Sequence, residues 1–173
     1  MATVLALGVT PPAEAAVWGP RWGAIGGGRN LGIGGFVGTA TGFSLKWFAG
    51  VGLSLGINAS VQRWWYTPAP TWRAEIDLVW HASVAHGHHA WEMILGPGVG
   101  GGVGWWRSPY YYDFCNRGPG PDCWGPFARG IFNWSMLFHH AHFDIFVEPS
   151  LVTVFIPGFI LDWDVWVGAH YYF

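Results

Sequence analysis

Val51-Gly52-Leu53-Ser54-Leu55-Gly56-Ile57-Asn58-Ala59-Ser60-Val61-Gln62 alternates without a slip. Successive side chains of an extended chain point to opposite faces. Val51, Leu53, Leu55, Ile57, Ala59 and Val61 therefore share one face, and Gly52, Ser54, Gly56, Asn58, Ser60 and Gln62 the other. The next segment repeats the pattern with charges, setting Trp72, Ala74, Ile76, Leu78 and Trp80 against Arg73, Glu75 and Asp77. Outward from this pair, Phe43, Leu45 and Trp47 oppose Ser44 and Lys46. Ile145, Val147, Leu151 and Phe155 oppose Asp144, Glu148 and Ser150. Trp163, Val165, Val167, Tyr171 and Phe173 oppose Asp162 and Asp164. Segments near 30–37, 90–106 and 127–138 carry similar but weaker faces, giving eight candidate strands in all.

Composition decides what such strands build. Charged residues make up 10% of the chain, against roughly 25% in soluble domains, too few to cover a water-exposed surface. Yet no apolar run approaches the roughly 18–20 residues of a membrane helix. Ile94 to Trp106 and Phe146 to Ile160 are both broken by glycine or proline. In hydrocarbon only helices and closed barrels satisfy every backbone amide. The expected fold is all-β, an eight-stranded antiparallel up-and-down transmembrane β-barrel over residues 17–173. A net charge of −2 with no basic run excludes a nucleic-acid partner.

Residues 1–16 read as a signal-peptide remnant or a disordered tail, with Ala13-Glu14-Ala15-Ala16 as the cleavage-like stretch. Export suits the two cysteines, Cys115 and Cys123, which flank a turn-forming Asn-Arg-Gly-Pro-Gly-Pro-Asp and are expected to form a disulfide. Connections around Gly50, His81–His89 and His139–Ala141 are expected to be the short periplasmic turns. Arg63–Pro70 and Arg107–Pro126 are expected to be longer external loops. Trp72 and Trp80 would stand about 20 Å apart vertically, near the height of an apolar band between aromatic girdles. Trp91 and Trp105 would stand about 35 Å apart, so the fifth strand must project beyond the band or bulge near Pro97-Gly98.

Trp166, Gly168, Tyr171 and Phe173 resemble the terminal signal that the insertion machinery reads in bacterial outer-membrane barrels. Phe36 to Trp47, Phe143 to Glu148 and Tyr171-Tyr172-Phe173 resemble the first and last hairpins of one group of small barrels. Over about residues 30–173 the chain thus resembles an uncharacterised subgroup of the OmpA/OmpX-like superfamily. The resemblance implies export through the periplasm, insertion by the barrel-assembly machinery, a lipid-bilayer surround and a monomeric state in the outer membrane.

The inward face would carry Lys46, Arg73 and Arg129 against Glu75, Asp77, Glu92, Asp144, Glu148, Asp162 and Asp164. Eight strands leave an interior that side chains can fill, so a plug of paired charges is the main reading. A narrow cation-conducting pore is the alternative. The histidines fall toward one end. His86, His88, His89, His140 and His142 form a candidate site for zinc or another transition metal, beside the plainer reading of interfacial residues. No other cofactor is expected. His81-Ala82-Ser83 resembles the His-x-Ser pair of outer-membrane lipid A deacylases, but parity points both residues inward. A lipid-modifying enzyme is therefore the least favoured reading, and no catalytic residue is assigned. The tyrosines of Arg107–Pro126 suit either a recognition surface or the aromatic belt. The expected function is structural or surface-interactive. A soluble lipocalin-like carrier would instead turn its apolar face inward and expose Arg73, Glu75 and Asp77.

Overall fold

The computed structural model describes residues 30–49, 52–63, 70–87, 90–107, 122–155 and 159–173. Nine strands follow in chain order: β1 (Leu31–Gly38), β2 (Ala40–Phe48), β3 (Leu53–Arg63), β4 (Pro70–Trp80), β5 (Ala82–Gly87), β6 (Trp91–Arg107), β7 (Asp122–Phe138), β8 (Phe143–Val154) and β9 (Ile160–Tyr172). Each pairs antiparallel with its neighbours, β9 returns to β1, and β4 pairs with β6 to close the sheet. β4 and β5 both run along β6 in the same direction, so they are two pieces of one barrel strand. The barrel is therefore eight-stranded, as the alternation predicted.

The registers fix its shape. A row of partners leaves β6 at Gly101 and passes through Ile76, Ile57, Leu45, Ile33, Tyr171, Phe143 and Phe138. It returns to β6 at Trp91, a shift of ten residues. With about 3.3 Å per residue and about 4.8 Å between strands, that shear over eight strands tilts them by about 40°. Outer-membrane barrels tilt by the same amount.

One sequence expectation needs correction. The stretch 81–89 is not a turn, because strand structure continues through Gly87. The interruption is confined to His81, and its cause lies opposite. The β4–β6 ladder ends at Val79↔Gly98, just short of Pro97, which has no N–H to donate. Of the two alternatives for the long strand β6, projection or a bulge near Pro97-Gly98, the second is not taken, and the register irregularity falls between Ser83 and Ala85 of β5. β6 runs unbroken along β7 from Trp91↔Phe138 to Arg107↔Asp122. Since β4 and β8 leave that ladder at Trp105 and Phe127, the end of the β6–β7 pair projects past its neighbours.

The faces are inverted relative to a soluble barrel. Arg73, Glu75 and Asp77 are buried, whereas Phe43, Ile57, Ile76 and Trp163 are between 51% and 79% exposed. An apolar-lined carrier would show the reverse. Gly52, at φ 71°, takes the left-handed conformation in the β2–β3 connection. On β6 the inward positions 96, 98, 100, 102 and 104 are all glycine. A Cβ at Gly100 would collide with the Asp77 carboxylate and come within 3.1 Å of Arg129 Cγ. That bare strand makes room for long side chains reaching across from the other wall.

Candidate functional site

Among the described residues, the barrel interior gathers most of the charged side chains. Alternation on β4 stacks Arg73, Glu75 and Asp77 on one inward row. β7 contributes Arg129 and Asn133, β8 contributes Asp144 and Glu148, and β9 contributes Asp164, Trp166, His170 and Tyr172.

Arg129 is the centre of one network. Its Nη1 donates to Glu75 Oε1 at 2.6 Å and its Nη2 to Glu148 Oε1 at 2.5 Å. Asp77 Oδ2 lies 3.7 Å from Nη1. The guanidinium sits 3.9 Å from the Trp166 ring centroid, within the range of a cation–π contact, and Phe36 stacks on Trp166 at 4.1 Å. Arg73 joins the same cluster through Asp164, at 2.6 Å, and donates from Nε to Ser60 Oγ at 3.2 Å. Asn58 donates to Asp77 Oδ2 at 2.6 Å, and Asn133 to Glu148 Oε2 at 2.9 Å. These amides fill acceptor sites that the arginines leave open.

A second network surrounds Asp144, which is fully buried. It accepts from the His170 backbone N–H at 3.0 Å, from Tyr172 Oη at 2.8 Å and from Lys46 Nζ at 3.4 Å. His170 Nδ1 lies 2.9 Å from the same carboxylate. A carboxylate can only accept, so Nδ1 carries the proton toward it. In the neutral ring Nε2 is then an acceptor, and it takes the Ser44 hydroxyl proton at 2.9 Å. Phe48, Ile94, Leu137 and Tyr172 form an apolar cluster at this end of the lumen.

Ser44–His170–Asp144 has the connectivity of a nucleophilic triad, but not its setting. Ser44 is 6% exposed, and the cavity beside it measures about 20 Å³. That is room for one water and no acyl substrate. The His81–Ser83 pairing suggested by the sequence does not form the observed contact: His81 Nε2 bonds Ser54 Oγ at 2.7 Å. Both arrangements fill the interior with paired polar groups, although His81 Nδ1 takes no hydrogen bond among the described residues.

Other sequence candidates fall as follows. Glu92 is buried, with His139 Nε2 3.6 Å away. Asp162 stands half-buried near the start of β9 and accepts from the Trp163 backbone N–H at 2.8 Å. Trp166 lies inside the lumen, Tyr171 and Phe173 point outward, and Gly168 underlies the Phe146 ring. His88, His89 and the His86 side chain lie outside the described residues. His140 is exposed, and His142 adopts φ 54° in the β7–β8 turn. His139 N–H donates to Ala90 O at 3.0 Å, so the two turns adjoin. Among the described residues no group of three or more His, Cys, Asp or Glu side chains is placed to hold a metal. Cys115 and the Cys123 side chain also lie outside the described residues.

Ser44 lies inward as its alternation with Phe43 and Leu45 predicts, whereas His170, Tyr172 and Trp166 lie in the lumen without being assigned there by the sequence reading. The signal was available: 170 and 172 share parity with Asp162 and Asp164 on the same strand. The aromatic and histidine content of the chain's end masks that alternation.

No protein-family model and no curated relative matches the chain. Among solved structures it is similar to the N-terminal β-barrel domain of Pseudomonas aeruginosa OprF. The likeness has 11% sequence identity and a TM-score of 0.46, and covers 83% of this chain and 96% of that one.

Proposed function

We propose that this chain is an integral barrel protein of the bacterial outer membrane with a filled lumen and a structural or surface-interactive role, not a catalytic one. The observation that carries this reading is the inversion of its faces. Large apolar side chains are exposed around the outside, while Lys46, Arg73, Arg129 and six carboxylates are buried within. Water would penalise that outer surface, and a bilayer would not. Trp72, Trp105 and Trp124 stand side by side on β4, β6 and β7, where an interfacial girdle would lie. On this reading the partners are bilayer lipids and, during insertion, the barrel-assembly machinery, and the barrel works as a monomer.

Arg129 spanning from β7 to Glu75 on β4 and Glu148 on β8 argues against an open pore, as does the Phe48–Ile94–Leu137–Tyr172 cluster. The experiment is cell fractionation, gel mobility with and without boiling, and conductance of the purified protein in planar bilayers. The expected result is membrane recovery, a heat-dependent mobility shift and no ohmic conductance above background. Recovery as a soluble protein without the shift overturns membrane insertion. Steady cation-selective current overturns the filled lumen.

A further inference from the structure

One cluster of the lumen joins Arg73 and Arg129 to Glu75, Asp77, Glu148 and Asp164, each at most 7% exposed. We propose that Asp77 stands in this cluster as a neutral carboxylic acid, and that its proton couples the stability of the barrel to pH.

Hydrogen-bond geometry separates Asp77 from the other three acids. Glu75 and Glu148 accept from Arg129 at 2.6 and 2.5 Å, and Asp164 lies 2.6 Å from Arg73 Nη1. Among the described residues, no guanidinium reaches Asp77 at hydrogen-bond distance. The nearest nitrogen is Arg129 Nη1, 3.7 Å away and already donating to Glu75. What Asp77 does hold is the neutral Asn58 amide, which donates to Oδ2 at 2.6 Å. Oδ1 takes no hydrogen bond among the described residues. It faces Gly100, in the inward glycine row of β6, which has no side-chain donor to offer. An ionised carboxylate would leave an anionic oxygen there dry and without a partner, which an interior tolerates badly. Protonated on Oδ1, the group needs no counter-charge, and Oδ2 remains the acceptor that Asn58 uses.

The surroundings supply no other cation. Lys46 on β2 and His170 on β9 both attach to Asp144, at 3.4 and 2.9 Å. Arg73 is held by Asp164 and Ser60, and His81 bonds Ser54. The acids that do contact arginine, Glu75 on the same strand, Glu148 on β8 and Asp164 on β9, carry like charge that opposes a further anion. The unfolded chain ionises an aspartate above a pH of about 4. Folding at neutral pH therefore takes up a proton at Asp77, and this contribution to stability falls as pH rises. Below about pH 4 both states hold the proton and the dependence ends.

Infrared spectra of the folded protein in detergent, with aspartate or glutamate carboxyls carbon-13 labelled in turn, test the charge state. The expected result is a protonated-carboxyl carbonyl band at neutral pH. It should shift with the aspartate label, not with the glutamate label, and disappear in Asp77→Asn. Denaturant titration of wild type and Asp77→Asn from about pH 5 to about pH 8 tests the coupling, since histidines common to both cancel in the comparison. The ratio of the two folding constants should move toward the variant as pH rises, by up to about tenfold per pH unit. A spectrum without the band, or a band moved by the glutamate label, overturns the proposal. The wild-type spectrum alone decides that, even where the variant assembles poorly. A band that survives Asp77→Asn, or a ratio that does not change with pH, overturns it as well, because the proton then sits elsewhere.

Discussion

Arg129 shows how single side chains set the character of this interior. Its guanidinium holds two buried carboxylates directly and lies on an indole face, so nothing else in the described lumen replaces it. Arg129→Leu should therefore destabilise the barrel by about 3–5 kcal/mol, chiefly by leaving buried Glu75 with only the longer Arg73 contact at 3.8 Å and buried Glu148 with only the neutral Asn133 amide. Denaturant titration in lipid vesicles would measure this. A triple change that also converts both carboxylates to Gln should recover much of the loss, since a buried pair is worth less than the penalty of breaking it. Tyr172→Phe is a milder case. It removes one donor at 2.8 Å from the Asp144 carboxylate, which retains other partners. A loss of about 1.5–3 kcal/mol is expected, read by the same titration. No loss at all would mean that Asp144 is satisfied without the phenol.

At the scale of elements, legibility followed the strength of alternation. β3 and β4 were readable almost to the residue because their two faces differ in chemistry at every position. β6 was harder, because Gly96, Pro97, Gly98 and Gly100–Gly102 give no polar face to read. Its inward side is defined by absent side chains, and that meaning appears only when Asp77 and Arg129 are seen in the vacated space. The stretch 81–89 read as a turn because histidines and glycine dilute its pattern. The sequence could not show that β5 resumes the barrel strand after Pro97 breaks the ladder. The pairs in the lumen were equally hidden, since parity puts a residue on a face but does not choose its partner across the barrel. The glycine row is testable. Gly100→Leu should cost more than 3 kcal/mol or prevent assembly, because the added side chain meets Asp77 and Arg129 in an already filled lumen. Gly130, with nothing within 4 Å of a built Cβ, should accept Ala nearly unchanged. Refolding yields of the two variants, read from the mobility shift, make the comparison.

At the scale of the whole molecule, the ten-residue shear, the tilt and the inverted faces describe one object, a short cylinder whose outside is apolar over its middle. The depth of that band is what a bilayer would sense. Ile57 is paired with Leu45 and Ile76 in the middle of β3, and it is 51% exposed. Phe155 is equally exposed but sits just beyond the end of β8. If hydrocarbon surrounds the barrel, Ile57→Arg places a charge near the midplane and should cost about 2–4 kcal/mol, whereas Phe155→Arg near the interface should cost about 0–1 kcal/mol. The contrast arises because a guanidinium near the edge can reach water and one at the centre cannot. Neither site has a carboxylate among its antiparallel partners, so local ion pairing does not blur the comparison. Equilibrium unfolding in phospholipid vesicles gives both values. Similar small costs at the two positions would show that the outer face meets water or protein, and the membrane reading of the fold would fail with them.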